Sequence, residues 1–205
     1  MRFLLTFSFV LILLSTSDYT FPKKKDPVVT IGVKLPFGFH ANHSTSTNLS
    51  FLDTNGGSLI GVGLSADIIL FRNLAVELGT IYRVIEYGNL QIKELQFPML
   101  LKLRLPLSRS FIFLVGGGVA YLHELSGEID PADTVNPAFG QGSISLPDQD
   151  LRNRFSFILK MEFQSWLIRD TYFLSFEMAY EKTKRALNIS SDDIIFSIGM
   201  NFKIF

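Results

Sequence analysis

Three histidines, and the polar residues that follow two of them, are the groups with which this chain could carry out acid–base chemistry. The histidines are His40, His43 and His123, and Ser44, Ser46 and Asp53 share a polar stretch with the first two. A general base must lie within hydrogen-bond reach of the proton that it removes, and spacing in the sequence does not establish this geometry. Because polar residues beside a histidine are common in loops, the sequence favours a protein that is not an enzyme, with a catalytic cluster as the weaker alternative.

The spacing of the other candidate ligands indicates neither a metal site nor a cofactor. The chain has no cysteine, so a thiolate zinc site and a disulfide are both impossible. Glu128 with Asp130, and Asp148 with Asp150, lack the spacing of a calcium-binding helix–loop–helix. The glycines of GVGLSAD and GGGVAYL lie in strand-like patterns and do not open a helix, as those of a phosphate-binding loop do. We therefore predict no catalytic residue, no metal and no cofactor.

The composition fits a single domain with no electrostatic preference for nucleic acid. The chain has 205 residues, in which 19 Lys and Arg balance 19 Asp and Glu. This length suits one domain of ordinary size. Because there is no excess of basic residues, binding to nucleic acid is not expected.

The N-terminal sequence MRFLLTFSFVLILLSTS has the three parts of a secretory signal peptide. Arg2 precedes an apolar run from Phe3 to Leu14, and small residues follow as far as Ser17. The run is shorter than the roughly 20 residues of a membrane-spanning helix, so an uncleaved anchor is the weaker interpretation. We expect export with cleavage near Ser17, and a polar leader at residues 18–27.

Most of the remaining chain alternates apolar and polar residues with a period of two, which is typical of β-strands with one apolar face. No long helical pattern competes with this alternation, which indicates an all-β fold. In the fifth of the strand-like segments Gly116, Gly117 and Gly118 interrupt a pattern that is apolar on both sides, and its faces stay unassigned. The eight segments are residues 28–39, 59–70, 74–84, 94–104, 111–121, 155–164, 172–181 and 196–205.

The connectors and the bulk of the apolar faces together predict a membrane barrel. Tight connectors at 71–73, 106–109 and 168–170 alternate with longer ones, of which 41–57 and 124–153 are the longest. An eight-stranded barrel has an interior just wide enough for side chains to fill, so this many Phe, Leu, Ile, Met and Tyr residues would not fit inside it. We predict an eight-stranded antiparallel up-and-down transmembrane β-barrel over residues 28–205, whose apolar face meets lipid. A soluble barrel with the opposite orientation is the alternative.

The polar faces of the same segments carry charges of both signs in nearly equal number. Inside a narrow barrel isolated charges would be costly, so we expect them to form a hydrogen-bonded network of ion pairs. The residues assigned to this network are Lys34, Asp67, Glu77, Arg83, Glu94, Lys102, Arg104, Arg154, Lys160, Glu162, Glu177, Glu181 and Lys203.

Two stretches carry a resemblance to a known family. The terminal FSIGMNFKIF resembles the insertion signal of bacterial outer-membrane barrels through Ser197, Gly199, Phe202 and Ile204, although Phe205 extends one place beyond the usual end. ELQFPMLLKLRL and the following FIFLVGGGVAYL resemble the fourth and fifth strands of the PorT-like outer membrane protein β-barrel family, among the small eight-stranded OmpA/OmpX-like barrels. The resemblance implies a monomer in the bacterial outer membrane. Its implied partners are outer-membrane lipid, lipopolysaccharide and the barrel-assembly machinery.

For function, the sequence favours a structural or surface-interaction role. Loops on a rigid scaffold commonly carry recognition, and 41–57 and 124–153 are the candidate surfaces for an extracellular ligand. A lipid A-modifying enzyme and a narrow small-solute channel are the alternatives. Because the predicted interior is narrow, its charges favour a plug over a channel.

Overall fold

The computed structural model describes residues 28–44, 57–71, 73–108, 110–129, 144–146, 153–168, 171–184 and 190–204. The predicted signal peptide and polar leader, most of the two long loops, and Phe205 lie outside the described residues. Within the described ranges, no helix is long and apolar enough to cross a membrane.

Eight long strands form a closed antiparallel barrel. Each long strand pairs with the next in the chain, and the last pairs with the first, which closes the ring. A ninth, two-residue strand lies outside the ring and pairs with the end of the fifth. The eight-stranded antiparallel barrel predicted from the sequence is therefore confirmed. The strands are β1 Val28–Ser44, β2 Ser58–Phe71, β3 Leu74–Tyr87, β4 Leu90–Pro106, β5 Phe111–Ile129, β6 Ile144–Ser145, β7 Asn153–Ile168, β8 Tyr172–Lys184 and β9 Ser190–Lys203.

The two ends of the barrel differ in their connectors. At one end, here called the turn end, β2–β3, β4–β5 and β7–β8 are joined by short connectors, and Val28 and Lys203 lie there too. At the other, the loop end, the longer connectors emerge. The exception at the loop end is the tight β3–β4 hairpin, where Gly88 has a φ of 54°, a conformation that glycine adopts without steric cost. In transmembrane barrels of outer membranes the short turns face the periplasm and the longer loops face outward.

A continuous belt of apolar side chains covers the outside of the barrel. Ile60 on β2 is 65% exposed and Met99 on β4 is 56% exposed. A protein in water rarely exposes a contiguous apolar patch larger than a few hundred Å². This belt encircles the barrel, and so large an apolar surface requires lipid around it. The alternative of a soluble barrel with its apolar face inward is therefore excluded. Each barrel strand contributes, as shown by Leu35, Ile60, Leu78, Met99, Phe111, Phe157, Phe176 and Met200.

The faces of β5, which the sequence left open, are assigned by its pairing. Gly116 and Gly118 face the interior, and Gly117 faces outward beside Leu159. A Cβ atom on Gly116 would lie 2.4 Å from the Leu101 carbonyl oxygen and 2.8 Å from Lys102 Cγ. The glycine therefore allows β4 to approach closely and leaves room for the stem of a buried lysine.

Several strands extend past their predicted limits at the loop end, and on β3 and β4 the polarity of the two faces inverts there. On β3, Ile85 and Tyr87 face inward and are fully buried, whereas Glu86 faces outward. On β4, Leu90 and Ile92 are buried and Lys93 points outward. The register between β3 and β4 runs without a shift from Ile81 to Tyr87. The same positions therefore keep facing inward, while the inward residues change from charged to apolar. Beyond the belt these two strands therefore place apolar side chains inward, as the strands of a soluble barrel do, while His40 and Asp193 keep part of the interior polar.

The inverted segment contains the larger of two interior apolar clusters. It is defined by Leu59, Ile85, Tyr87, Leu90, Ile92, Ile129 and Ile195, and is called here the loop-end cluster. Leu146, directly after β6, packs against it, and its N–H donates to the Gly127 carbonyl oxygen at 2.7 Å. The second cluster, nearer the middle, consists of Leu100, Ala120, Leu122 and Ile158.

Candidate functional site

The charged residues assigned to the interior by the sequence do face the interior, and most of them are buried. Lys102 and Arg83 are each 1% exposed although they are among the longest side chains of the protein. Arg104, Arg154 and Lys203 also face inward but are only half-buried. These charges form two separate groups, named here the turn-end ion cluster and the Arg83 cluster.

The turn-end ion cluster joins three lysines to four carboxylates across the lumen. Lys102 Nζ lies 2.6 Å from Asp67 Oδ1 and 2.8 Å from Glu162 Oε2. Glu77 lies at the centre, because its two carboxylate oxygens contact all three lysine ammonium groups at 2.5 to 3.0 Å. The cluster is defined as Lys34, Asp67, Glu77, Lys102, Lys160, Glu162 and Glu177.

The lysines are needed because the sheet places like charges side by side. Asp67 pairs directly with Glu77 across β2 and β3, and Glu162 pairs with Glu177 across β7 and β8. Directly opposed carboxylates on one face destabilise a sheet. Each pair is neutralised by lysines that reach across from other strands, so the cluster ties opposite walls of the barrel together.

The Arg83 cluster lies between the two apolar clusters. The Arg83 guanidinium donates to Glu94 on the neighbouring strand and to Glu181 across the lumen, where Nη1 lies 2.5 Å from Oε2. Gln96 Nε2 donates to both oxygens of Glu181 at 3.1 Å. Gln96 was not among the predicted network residues, although it stands two places after Glu94 and therefore on the same face.

Two of the half-buried arginines lie beside the clusters. Arg104 follows Lys102 by two places on the inner face of β4, at the turn end. Arg154 Nε lies 3.8 Å from Glu124 Oε1, a buried carboxylate that the sequence did not assign to the network. Glu124 was missed because the predicted fifth strand ended at residue 121, whereas β5 continues to Ile129.

Together these groups close the lumen to water within the described part of the chain. A continuous water column would leave its lining side chains accessible, yet Lys34, Glu77 and Glu162 are each 2% exposed. The apolar clusters fill the levels above and below the Arg83 cluster. The interior is therefore a packed plug, in keeping with the small internal width of an eight-stranded barrel.

The structure does not bring His40 and His123 into one site. His40 faces the interior, where its Nδ1 lies 2.5 Å from Asp193 Oδ1 and its ring stacks on Tyr87 at a centroid distance of 4.1 Å. His123 is on the outer face of β5, 2.7 Å from Asn153 Oδ1. His40 and His123 are thus on different strands and on opposite faces of the barrel wall.

His43 and Ser44 end β1, while Ser46 and Asp53 lie outside the described residues. Within the described ranges, no group of three His, Asp or Glu side chains is arranged to hold a metal ion. The His40–Asp193 pair could not be predicted from the sequence, because 153 positions separate the two residues.

The residues of the terminal insertion pattern divide between the two faces of β9. Ser197 is buried and Gly199 faces the lumen, where a Cβ would lie 2.6 Å from Ser175 Oγ. Phe202 and Ile204 are exposed on the outer belt. On the strand that closes the ring, the pattern therefore places a glycine where the interior has no room for a side chain and an aromatic residue where the outer face meets lipid. Phe205 lies outside the described residues.

A closed eight-stranded ring with an apolar outer belt and a charged interior defines a small transmembrane β-barrel. Solved structures of this class are similar to the chain. Neisserial surface protein A matches with a TM-score of 0.58 and 8% identity, over 86% of this chain and 97% of that chain. The outer membrane protein OprG from Pseudomonas aeruginosa matches with a TM-score of 0.53 and 15% identity, over 86% of this chain and 96% of that chain.

No protein-family model matches the chain, and no curated protein sequence matches it. At these identities the structural similarity shows the fold alone, which is that of small eight-stranded outer-membrane barrels of the OmpA/OmpX-like kind. The finer resemblance to the PorT-like family stays a prediction.

Proposed function

We propose that this protein is exported to the bacterial outer membrane and has a structural or surface-interaction role there, with its long loops as the recognition surface. The packed, ion-paired lumen is the observation that carries this proposal. Because the interior of the described barrel is filled by side chains at every level, the barrel itself serves as a scaffold. Recognition then belongs to the segments that emerge at the loop end.

The construction of the loop end supports this role. The strands continue past the apolar belt, and the loop-end cluster holds this extension together where no lipid surrounds it. Leu146 fixes the long connector between β5 and β7 to the barrel through its packing and its hydrogen bond to Gly127. A connector that is anchored near one end presents its remaining residues from a defined position, which lowers the entropy lost on binding.

An epitope inserted between residues 136 and 137 tests the proposal. We expect antibody labelling of the epitope on intact cells, together with a heat-dependent change in gel mobility that reports a closed barrel. Labelling that requires permeabilised cells would contradict the proposed orientation.

Mass spectrometry of lipid A from the same cells tests the enzymatic alternative. A changed lipid A mass that depends on expression of the protein would replace the scaffold role with a catalytic one. An unchanged mass is the expected result, because His40 and His123 lie on different strands and opposite faces of the barrel wall.

A further inference from the structure

A groove of about 490 Å³ lies on the outer wall of the barrel, where the apolar belt meets the polar loop end. Strands β1, β2, β3 and β9 form it. Its apolar lining is Phe37, Phe39, Ile60 and Phe196, and its polar rim is Ser58 and Glu86. This set of residues is called here the rim groove.

The apolar part of the rim groove has the dimensions and chemistry for a hydrocarbon chain. The rings of Phe37 and Phe196 stack with centroids 6.0 Å apart and planes at 26°, and Phe39 is 6.3 Å from Phe196. Ile60, on the opposite side, is 65% exposed. These side chains belong to the lipid-facing belt, so the molecule that reaches them in a membrane is a lipid.

The polar rim differs from the rest of the loop-end surface in its charge. Glu86 accepts hydrogen bonds from two neutral groups, Ser58 Oγ at 3.1 Å and Gln91 Nε2 at 3.4 Å. The other outward acids described at this level each have a lysine, with Glu128 3.2 Å from Lys93 and Asp192 paired with Lys182. Among the described outward acids of the loop end, Glu86 is thus the one held by neutral donors, with no described lysine or arginine within ion-pair distance of its carboxylate.

We propose that the rim groove binds a membrane lipid whose headgroup carries a primary amine. The ammonium group pairs with the Glu86 carboxylate, and an acyl chain lies against Phe37, Ile60 and Phe196. Ser58 and Gln91 orient the carboxylate toward the groove. A phosphate without an amine is disfavoured at this position, because it would meet the Glu86 carboxylate, which is in ion-pair contact with no described lysine, while the nearby Lys93 is paired with Glu128. The inference rests on the proposed placement of the barrel in a membrane.

Native mass spectrometry of the full chain, purified from membranes in detergent, tests the site. The detergent contains equal amounts of phosphatidylethanolamine and phosphatidylglycerol, and the retained lipid is counted. We expect the protein to retain phosphatidylethanolamine in preference, and Glu86→Gln to lower that preference about two- to fivefold, the range of an exposed ion pair. Glu128→Gln is the matched control, since its carboxylate is already paired with Lys93, and it should leave the preference unchanged.

The apolar part of the site is tested by a second pair of variants. Phe196→Ala removes one wall of the groove and should lower retention of both lipids. Phe163→Ala removes a belt aromatic that stacks on Phe111, away from the groove, and should not. Equal loss in both variants would overturn the site, because it would show only general contact with lipid.

Three other outcomes would overturn the proposal. The first is no preference in the unaltered protein, and the second is a preference that survives Glu86→Gln. The third is a calcium-dependent preference for phosphatidylglycerol, which would indicate an ion bridging Glu86 to a phosphate. A protein that shows no heat-dependent gel shift would instead contradict the membrane barrel itself, so the two failures are distinguishable.

Discussion

At the residue scale, the stability of the barrel depends on how completely each interior charge is compensated. Lys102 is the clearest case, because its ammonium group contacts Asp67, Glu77 and Glu162 and its side chain is 1% exposed. Removing one partner from a buried ion network leaves the others uncompensated in a medium that solvates them poorly. Lys93, paired with Glu128 on the outer face, provides the contrast, because its side chain is 34% exposed.

We expect Lys102→Met to lower the free energy of unfolding by about 3–5 kcal/mol, since three carboxylates lose their shared cation. Lys93→Met should cost less than about 1 kcal/mol, the usual value of an exposed pair. The measurement is urea unfolding of the protein in lipid vesicles, followed through the single tryptophan. Equal losses in the two variants would show that the buried carboxylates tolerate the loss by protonation or by entry of water.

At the element scale, the positions and faces of the strands were largely predictable, and their lengths were not. A period of two identifies which residues share a face, so Lys34 and Lys160 could be assigned to the interior before any contact was known. Their individual partners could not be assigned, because Lys34 contacts Glu177 from a distant part of the chain. The end of β3 was missed because its inward residues change from charged to apolar at Ile85, and a pattern with one fixed phase stops there.

The same inversion predicts where the membrane ends on β4. Phe97 and Leu101 face outward within the belt, whereas Gln91 faces outward beyond it. Because the chain has no cysteine, a single spin label can be placed at each position. We expect labels at positions 97 and 101 to be accessible to oxygen dissolved in lipid and shielded from a water-soluble relaxation agent. A label at position 91 should show the reverse.

The control for this labelling is position 103, which faces outward near the turn end of the same strand. It should resemble position 101, because the belt continues to the turn end. A label at position 91 that is shielded like that at position 97 would place the membrane boundary higher. The loop-end cluster would then lie inside the bilayer, and the exchange of faces would need another explanation.

At the scale of the whole molecule, the described barrel is a ring whose walls are tied together through its interior. Lysines from β1, β4 and β7 reach carboxylates on β2, β3, β7 and β8, so the turn-end ion cluster spans the lumen. The pairing of β9 with β1 closes the ring, but it does not decide what fills the lumen. It is the compensated charges inside that permit a dry one.

This arrangement predicts how the protein behaves in a planar lipid bilayer. The unaltered chain should give no steady conductance above that of the bilayer, because the described part of the interior is packed with side chains and leaves no water path through them. The double variant Glu77→Ala with Glu177→Ala removes both carboxylates described around Lys34 and leaves Lys160 only a contact of 3.8 Å to Glu162. Uncompensated ammonium groups draw water into the lumen, so we expect a small conductance that favours anions. Glu128→Ala on the outer rim is the control and should stay silent. Steady conductance of the unaltered chain would instead favour the small-solute channel, with the lysines as its selectivity element.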